Sequence, residues 1–168
     1  YRVSGLEVFG VEMDKRAADL CKRNIDLNMF KAKICNINIA NTVRELKSVS
    51  FDHVFMNPPY FKQNSVKESH ILSSHQARVE SMPLSAWISV AKNRCKPNGK
   101  ITVIQRVERL PDIIKCLDGY FGQVTVQPIS SFKDSTPKTV IVQATKTSGA
   151  AFKLLAPKIV HRRDAISG

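Results

Sequence analysis

The tetrapeptide Asn57-Pro58-Pro59-Tyr60 sets an amide, two imino acids and a phenol ring side by side. Each residue type has a chemical use at that spacing. Two successive prolines withdraw two backbone N–H donors and set two φ angles. The run Phe51–Met56 ahead of them therefore reads as a buried strand that must stop at a rigid corner. The Asn57 side chain precedes the corner and the Tyr60 ring follows it. An amide oxygen and a nearby backbone carbonyl can accept the two hydrogens of a flat amino group, while a ring stacks on its face. At ordinary residue usage such a tetrapeptide is expected about once per thousand chains of this length. The plainer alternative is a Pro-Pro turn that only ends a strand.

Two more polar groups stand where strands should end. Glu12, in Gly10-Val11-Glu12-Met13-Asp14, follows an apolar run. A carboxylate there can accept hydrogen bonds from both hydroxyls of a ribose; it could equally be an acidic group favoured by the positive end of a following helix. Asn36 could meet the amino group of a purine, with Ile37 against the ring, although Asn is also common in turns.

The elements that must hold these groups alternate. Leu6–Val11 reads as a strand, Lys15–Asn28 as an amphipathic helix with Asp14 at its N-cap, and Ala32–Ile37 as a short strand. In the helix Ala17, Ala18, Cys21, Ile25 and Leu27 fall largely on one side. Thr42–Lys47 reads as a short helix. After the corner, Phe61–Ser81 is polar and reads as a long loop with at most one short helix, a length that favours function. Leu84–Cys95 is a helix stopped by Lys96-Pro97-Asn98-Gly99, a breaker followed by a left-handed position. Lys100–Gln105 is a strand and Leu110–Asp118 a helix with Pro111 in its first turn. Gln123–Pro128 and Thr139–Ala144 are two last strands, antiparallel around the loop Ser130–Lys138. Alternating strands and helices imply βαβ units and a mostly parallel α/β sheet. Ligands of such sheets bind at the carboxyl ends of strands, so Glu12, Asn36 and Asn57 are expected to line one crevice.

Composition narrows the partners. The chain has 168 residues, suited to one domain, and a formal net charge of +12 from 26 Lys and Arg against 14 Asp and Glu. Such a charge attracts polyanions, nucleic acid foremost. No apolar stretch is long enough for a membrane span and no secretory leader is legible. The four cysteines, Cys21, Cys35, Cys95 and Cys116, lack Cys-x-x-Cys spacing. No metal site is expected, and reduced thiols fit a cytoplasmic protein. Cys21, Cys35 and Cys95 read as core filler among apolar neighbours.

Val-Glu at one strand end, a polar residue at the next, then Asn-Pro-Pro-Tyr resembles the class I S-adenosylmethionine-dependent methyltransferases that modify amino nitrogens. More narrowly, the chain resembles the bacterial tRNA adenine-N6 methyltransferases that act on the adenine beside the anticodon of a valine tRNA. Lys96-Pro97-Asn98-Gly99-Lys100, Gln105-Arg106-Val107-Glu108-Arg109-Leu110 and Lys138-Thr139-Val140-Ile141-Val142-Gln143 carry that likeness further, over nearly the whole chain. The resemblance implies a Rossmann-like methyltransferase sheet, mostly parallel with an antiparallel C-terminal strand, in a single domain over residues 1–168.

It also implies roles. Glu12, with Met13 beside it, would hold the ribose of S-adenosylmethionine; Asn36 and Ile37 would meet its adenine, Asn36 standing where the family usually has Asp. Asn57 and the Pro58 carbonyl would accept the two target hydrogens, with Pro59 completing the corner, and Tyr60 would stack on the target base with Phe61 extending the platform. The partner would be tRNA, which the His70–Glu80 segment, with His75 and Arg78, could touch. In the family a further strand and its Gly-rich turn come before the Glu strand and lie between the strands ending at Glu12 and Asn57. The chain opens at Tyr1 without them. It is therefore expected to be the later part of such a domain, with unpaired edges on those two strands and weak cofactor binding of its own. A protein glutamine methyltransferase and a DNA adenine methyltransferase share the amino-group chemistry. A non-catalytic RNA-binding module is the alternative of a different class.

Overall fold

The computed structural model describes residues 5–39, 46–59, 61–62, 79–80 and 82–161. The chain divides into two compact units, Tyr1–Ser48 and Val49–Gly168. The predicted helix at Thr42–Lys47 and the segment bearing His70, His75 and Arg78 fall largely or wholly outside the described residues; Leu46–Ser48 forms a turn.

The N-terminal unit is a βαβ arrangement. Strand β1 (Val8–Glu12) pairs in parallel with β2 (Ala32–Asn36), in a register that ends on Glu12↔Asn36. Helix α1 (Lys15–Leu27) connects them. Asp14 is its N-cap: its backbone is extended and its side chain accepts a hydrogen bond from the Ala17 N–H at 2.8 Å, as expected of a short carboxylate at that position. Of the apolar stripe read from the sequence, only Ala18 is buried and Ile25 half-buried, while Ala17, Cys21 and Leu27 are exposed. A two-stranded sheet is too narrow a floor to cover a whole helix face. Cys21 is thus not core filler; Cys35 is half-buried and Cys95 buried, and all four thiols are free.

The C-terminal unit holds a six-stranded mixed sheet. Its strands are β3 (Phe51–Met56), β6 (Cys95–Arg106), β7 (Phe121–Ser130), β8 (Thr139–Lys146), β9 (Lys153–Leu154) and β10 (Lys158–Ile159). The order is β10-β7-β8-β6-β3, with β9 also on the outer edge of β7. β8 runs antiparallel to both neighbours, whereas β3–β6, β7–β9 and β7–β10 are parallel. Strands β4 (Phe61–Lys62) and β5 (Val79–Glu80) form a separate short parallel pair. Among the described residues β1 pairs with β2 alone and β3 with β6 alone, so both strands have an open edge. β3 is accordingly not buried along its length, and Phe55 is 70% exposed.

Helix α2 (Leu84–Arg94) buries Leu84, Ile88 and Ala91, one stripe at helical spacing, and α3 (Leu110–Leu117) buries Ile113 and Leu117. These pack with Ile101 and Val103 of β6, Val126 of β7 and Val140, Val142 and Ala144 of β8. The register places Ile101, Val103 and Gln105 on one face of β6, opposite Ala144, Val142 and Val140.

The Lys96–Gly99 turn is looped out between β3 and β6, whose pairing jumps from Phe51↔Cys95 to His53↔Lys100. Asn98 takes the left-handed conformation, at φ 60°. Gly99 is needed for room: a Cβ there would lie 2.8 Å from Cys95 Sγ and 2.9 Å from the Lys96 carbonyl oxygen. No helix among the described residues is long and apolar enough to cross a membrane.

Candidate active site

The corner after β3 is built by two prolines and a glutamine. Pro58 is fully buried, Pro59 half-buried, and Asn57 exposed. Among the described residues no hydrogen bond engages the side-chain amide of the exposed Asn57. The last β3–β6 pair is Met56↔Val103. Two residues further along each strand stand Pro58 and Gln105. Lacking N–H groups, the prolines cannot extend the ladder as donors, but their carbonyls still need partners. Gln105, 0% exposed, supplies both: its Nε2 donates to the Pro58 carbonyl at 3.1 Å and to the Pro59 carbonyl at 3.2 Å. Its Oε1 accepts from the Arg106 backbone N–H at 2.9 Å, which settles which end of the amide faces the corner.

Tyr60 lies outside the described residues. Phe61 is described only as part of β4. Gln105 is the site residue that reading from the sequence missed as an individual. A signal existed: in the run Ile101-Thr102-Val103-Ile104-Gln105, Gln105 shares a strand face with Ile101 and Val103, and a polar residue on a buried face needs a partner.

The second cluster lies in the N-terminal unit. Glu12 Oε1 accepts from the Asp14 backbone N–H at 2.9 Å, so part of the carboxylate serves the start of α1 while the other oxygen keeps its lone pairs. Asn36 Nδ2 donates to the Glu12 carbonyl at 2.9 Å and to the Met13 carbonyl at 3.0 Å. The Ile37 N–H donates to the same Glu12 carbonyl at 3.1 Å. Glu12, Met13, Asn36 and Ile37 are thus brought together at one strand end. Both Asn36 N–H hydrogens are spent on main-chain oxygens, so its Oδ1 is presented as the free acceptor. A carboxylate at this position would have no hydrogen to give those two carbonyl oxygens. The set fits an adenosine: a carboxylate oxygen for ribose hydroxyls and an amide oxygen for the adenine amino group.

The strand leading to the corner carries charged and titratable neighbours. Lys96 donates to both carboxylate oxygens of Asp52 at 2.9 Å, holding that carboxyl below its ordinary range. His53 Nε2 lies 2.8 Å from Thr102 Oγ1, and its ring stacks on Phe55 at 4.0 Å. Partial burial, then the Lys100 charge, hold the His53 ring below its ordinary pKa. Among the described residues no group of three or more His, Cys, Asp or Glu side chains could hold a metal ion.

Residues 2–110 match the family model of N-6 DNA methylases. Among curated relatives, the chain is 26% identical over 121 residues to a tRNA1(Val) (adenine(37)-N6)-methyltransferase of Shewanella halifaxensis, covering 70% of this chain and 48% of that protein. The chain spans about half the length of such curated relatives, 48% and 57% in two cases. A predicted O-methyltransferase of Agrobacterium tumefaciens superposes with a TM-score of 0.74 at 22% identity, over 95% of this chain and 72% of that one. A Thermus thermophilus 16S rRNA methyltransferase in complex with AdoMet and guanosine superposes with a TM-score of 0.55 at 21% identity, over 84% of this chain and 32% of that one. At these identities the structural likeness speaks for the fold, which is that of the Rossmann-like class I methyltransferases, with a mixed sheet.

Proposed function

The chain belongs to the N-6 DNA methylase family, and on that premise we propose that the whole protein is an S-adenosylmethionine-dependent N-methyltransferase acting on the exocyclic N6 of adenine in tRNA. One observation carries the chemistry: an exposed, uncommitted Asn57 amide at a strand end, backed by a buried Pro58 and a rigid corner. Asn57 Oδ1 accepts one amino hydrogen. The Pro58 carbonyl, which has a second lone pair beside the one taken by Gln105, accepts the other. Held in this way, the amino nitrogen's lone pair is drawn out of conjugation with the ring and given a direction. Positioning and preorganised acceptors then supply most of the rate, with no strong base. Tyr60, with Phe61 beside it, is assigned the face of the base. On the cofactor side, Glu12 and Asn36 would hold the ribose and adenine of S-adenosylmethionine, with Met13 and Ile37 flanking them. When bound, that cofactor supplies an electrophilic methyl group on a sulfonium sulfur.

RNA as the bearer of the amino group is supported by the +12 charge and by the Shewanella relative's stated substrate. An adenine in a single-stranded loop is also cheaper to unstack than one in a duplex. The family's own description favours a second reading, adenine in DNA.

The test uses the whole protein, labelled S-adenosylmethionine and, in parallel, tRNA, genomic DNA and a release-factor protein. Label in tRNA alone is the expected result. Label in DNA alone moves the assignment to the second reading, label in protein to glutamine methylation, and label nowhere to an RNA-binding module. Asn57→Ala should lower transfer by about a hundredfold to a thousandfold, the scale for losing a preorganised polar group at a reacting centre. Its tRNA dissociation constant should stay within about twofold, since a single contact is lost from a largely electrostatic interface. Retained activity in that variant would refute the mechanism.

A further inference from the structure

We infer that Gln105 is a positioning residue of the reaction, setting the geometry of the Asn57-Pro58-Pro59 corner without touching substrate; this rests on the reading of that corner as the acceptor of the target amino group. β3 ends at Met56↔Val103, and beyond that pair neither Pro58 nor Pro59 has an N–H with which to bind a neighbouring strand. Among the described residues, the other constraints on the corner are its φ restrictions and the packing of the buried Pro58 ring. The Gln105 amide adds two directional constraints at 3.1 and 3.2 Å, one on each proline carbonyl. The amide is itself oriented by the Arg106 N–H at 2.9 Å, so the constraint is referred to the β6 main chain.

Burial makes this linkage stiff. Gln105 is 0% exposed, opposite Val140 and on the face that carries Ile101 and Val103. Water cannot replace its donors there at small cost. A second consequence concerns electronics. The Pro58 carbonyl is one of the two proposed acceptors, and a donor already on that oxygen confines the approach of the target hydrogen to the remaining lone pair. Gln105 would thereby select one orientation of the amino group, which matters most where reacting atoms must align in line.

Gln105→Leu keeps the volume and apolar fit and removes both donors. Gln105→Met does the same with a more adaptable side chain and replaces Leu if that variant fails to fold. In the whole protein, kcat for tRNA methylation is expected to fall about tenfold to a hundredfold while KM for tRNA and for S-adenosylmethionine stays within about twofold, because geometry rather than binding is lost. Independently of activity, native-state amide exchange in peptides covering residues 54–62 should quicken about tenfold or more, with peptides from β7 and β8 unchanged. An unchanged kcat overturns the assignment even if exchange quickens, since Gln105 would then be structural only. Unchanged exchange at the corner overturns it as well. If the unmutated protein transfers no methyl group to any substrate, the functional reading fails, and the exchange comparison alone then decides whether Gln105 holds the corner.

Discussion

Both units use the same device at a strand end, with different surroundings. In the N-terminal unit Asn36 reaches from β2 to the carbonyls of Glu12 and Met13, just at and past the end of β1. In the C-terminal unit Gln105 reaches from β6 to the carbonyls of Pro58 and Pro59, just past the end of β3. In each case a side-chain amide on the neighbouring parallel strand spends both its hydrogens on two successive main-chain oxygens. At the proline corner the amide continues as a side chain what the ladder can no longer do, whereas the Glu12 carbonyl also keeps a main-chain bond from the Ile37 N–H. Asn36, however, is exposed, while Gln105 is wholly buried among Ile101, Val103 and Val140. Equal hydrogen-bond counts therefore do not mean equal weight: where water can step in, a lost bond costs little, and where it cannot, an orphaned carbonyl carries the desolvation penalty, in full at the buried Pro58 bond and less at half-buried Pro59.

Truncating both amides separates the two clamps. Gln105→Ala leaves two carbonyls without a donor and opens a cavity, and should destabilise the C-terminal unit by about 2–4 kcal/mol. Asn36→Ala should cost about 0.5–1 kcal/mol, because water can serve the Glu12 and Met13 carbonyls. Urea unfolding of the whole protein, followed by amide exchange to separate the units, checks both. Equal losses would show that burial does not separate the two clamps.

A milder change sharpens the N-terminal side. Asn36→Asp replaces two donors with a carboxylate facing two carbonyl oxygens 2.9 and 3.0 Å from the present nitrogen. The exposed carboxylate can turn to water, so the expected loss is about 1 kcal/mol, with weaker S-adenosylmethionine binding by calorimetry. Undiminished affinity would mean that the clamp is not what presents the acceptor.

The smallest expected effect comes from acid acting on β3, the strand that ends in the buried clamp. His53 is held below its ordinary pKa of 6.5 by partial burial and then by Lys100. The folded state therefore binds a proton there less readily than the unfolded state does. Its contribution to stability is present above pH 6.5 and is lost as pH falls through the lowered folded value. Melting temperatures at pH 7.5 and 5.5 should diverge slightly more for the native sequence than for His53→Asn. Identical pH dependence would remove His53 from the account.

Much of the architecture was legible in the residues. Phe51–Met56, the Asp14 cap, the start of α2 at Leu84, Pro111 in the first turn of α3 and the antiparallel β7–β8 pair are all local: propensity, capping and proline stereochemistry act within a few positions. Misreadings arose where covering by distant elements decides. Leu27 and Cys21 lie on the helical stripe read as apolar, yet both stay exposed over a two-stranded sheet, and Phe55 is exposed on an edge strand read as buried.

Residue order alone specifies the corner: two prolines cannot continue a strand, and an amide on one side and a ring on the other follow from adjacency. It also determined that an acidic and an amide group would stand at two other strand ends. How those groups are committed depends on contacts between segments far apart in the chain. Gln105 meets prolines 46 and 47 positions earlier in the chain, and Asn36 meets carbonyls 23 and 24 positions earlier. Which hydrogens are spent and which oxygens remain open depends on strand pairing across those distances, and pairing follows from the burial and register of whole strands, which no local run of residues contains.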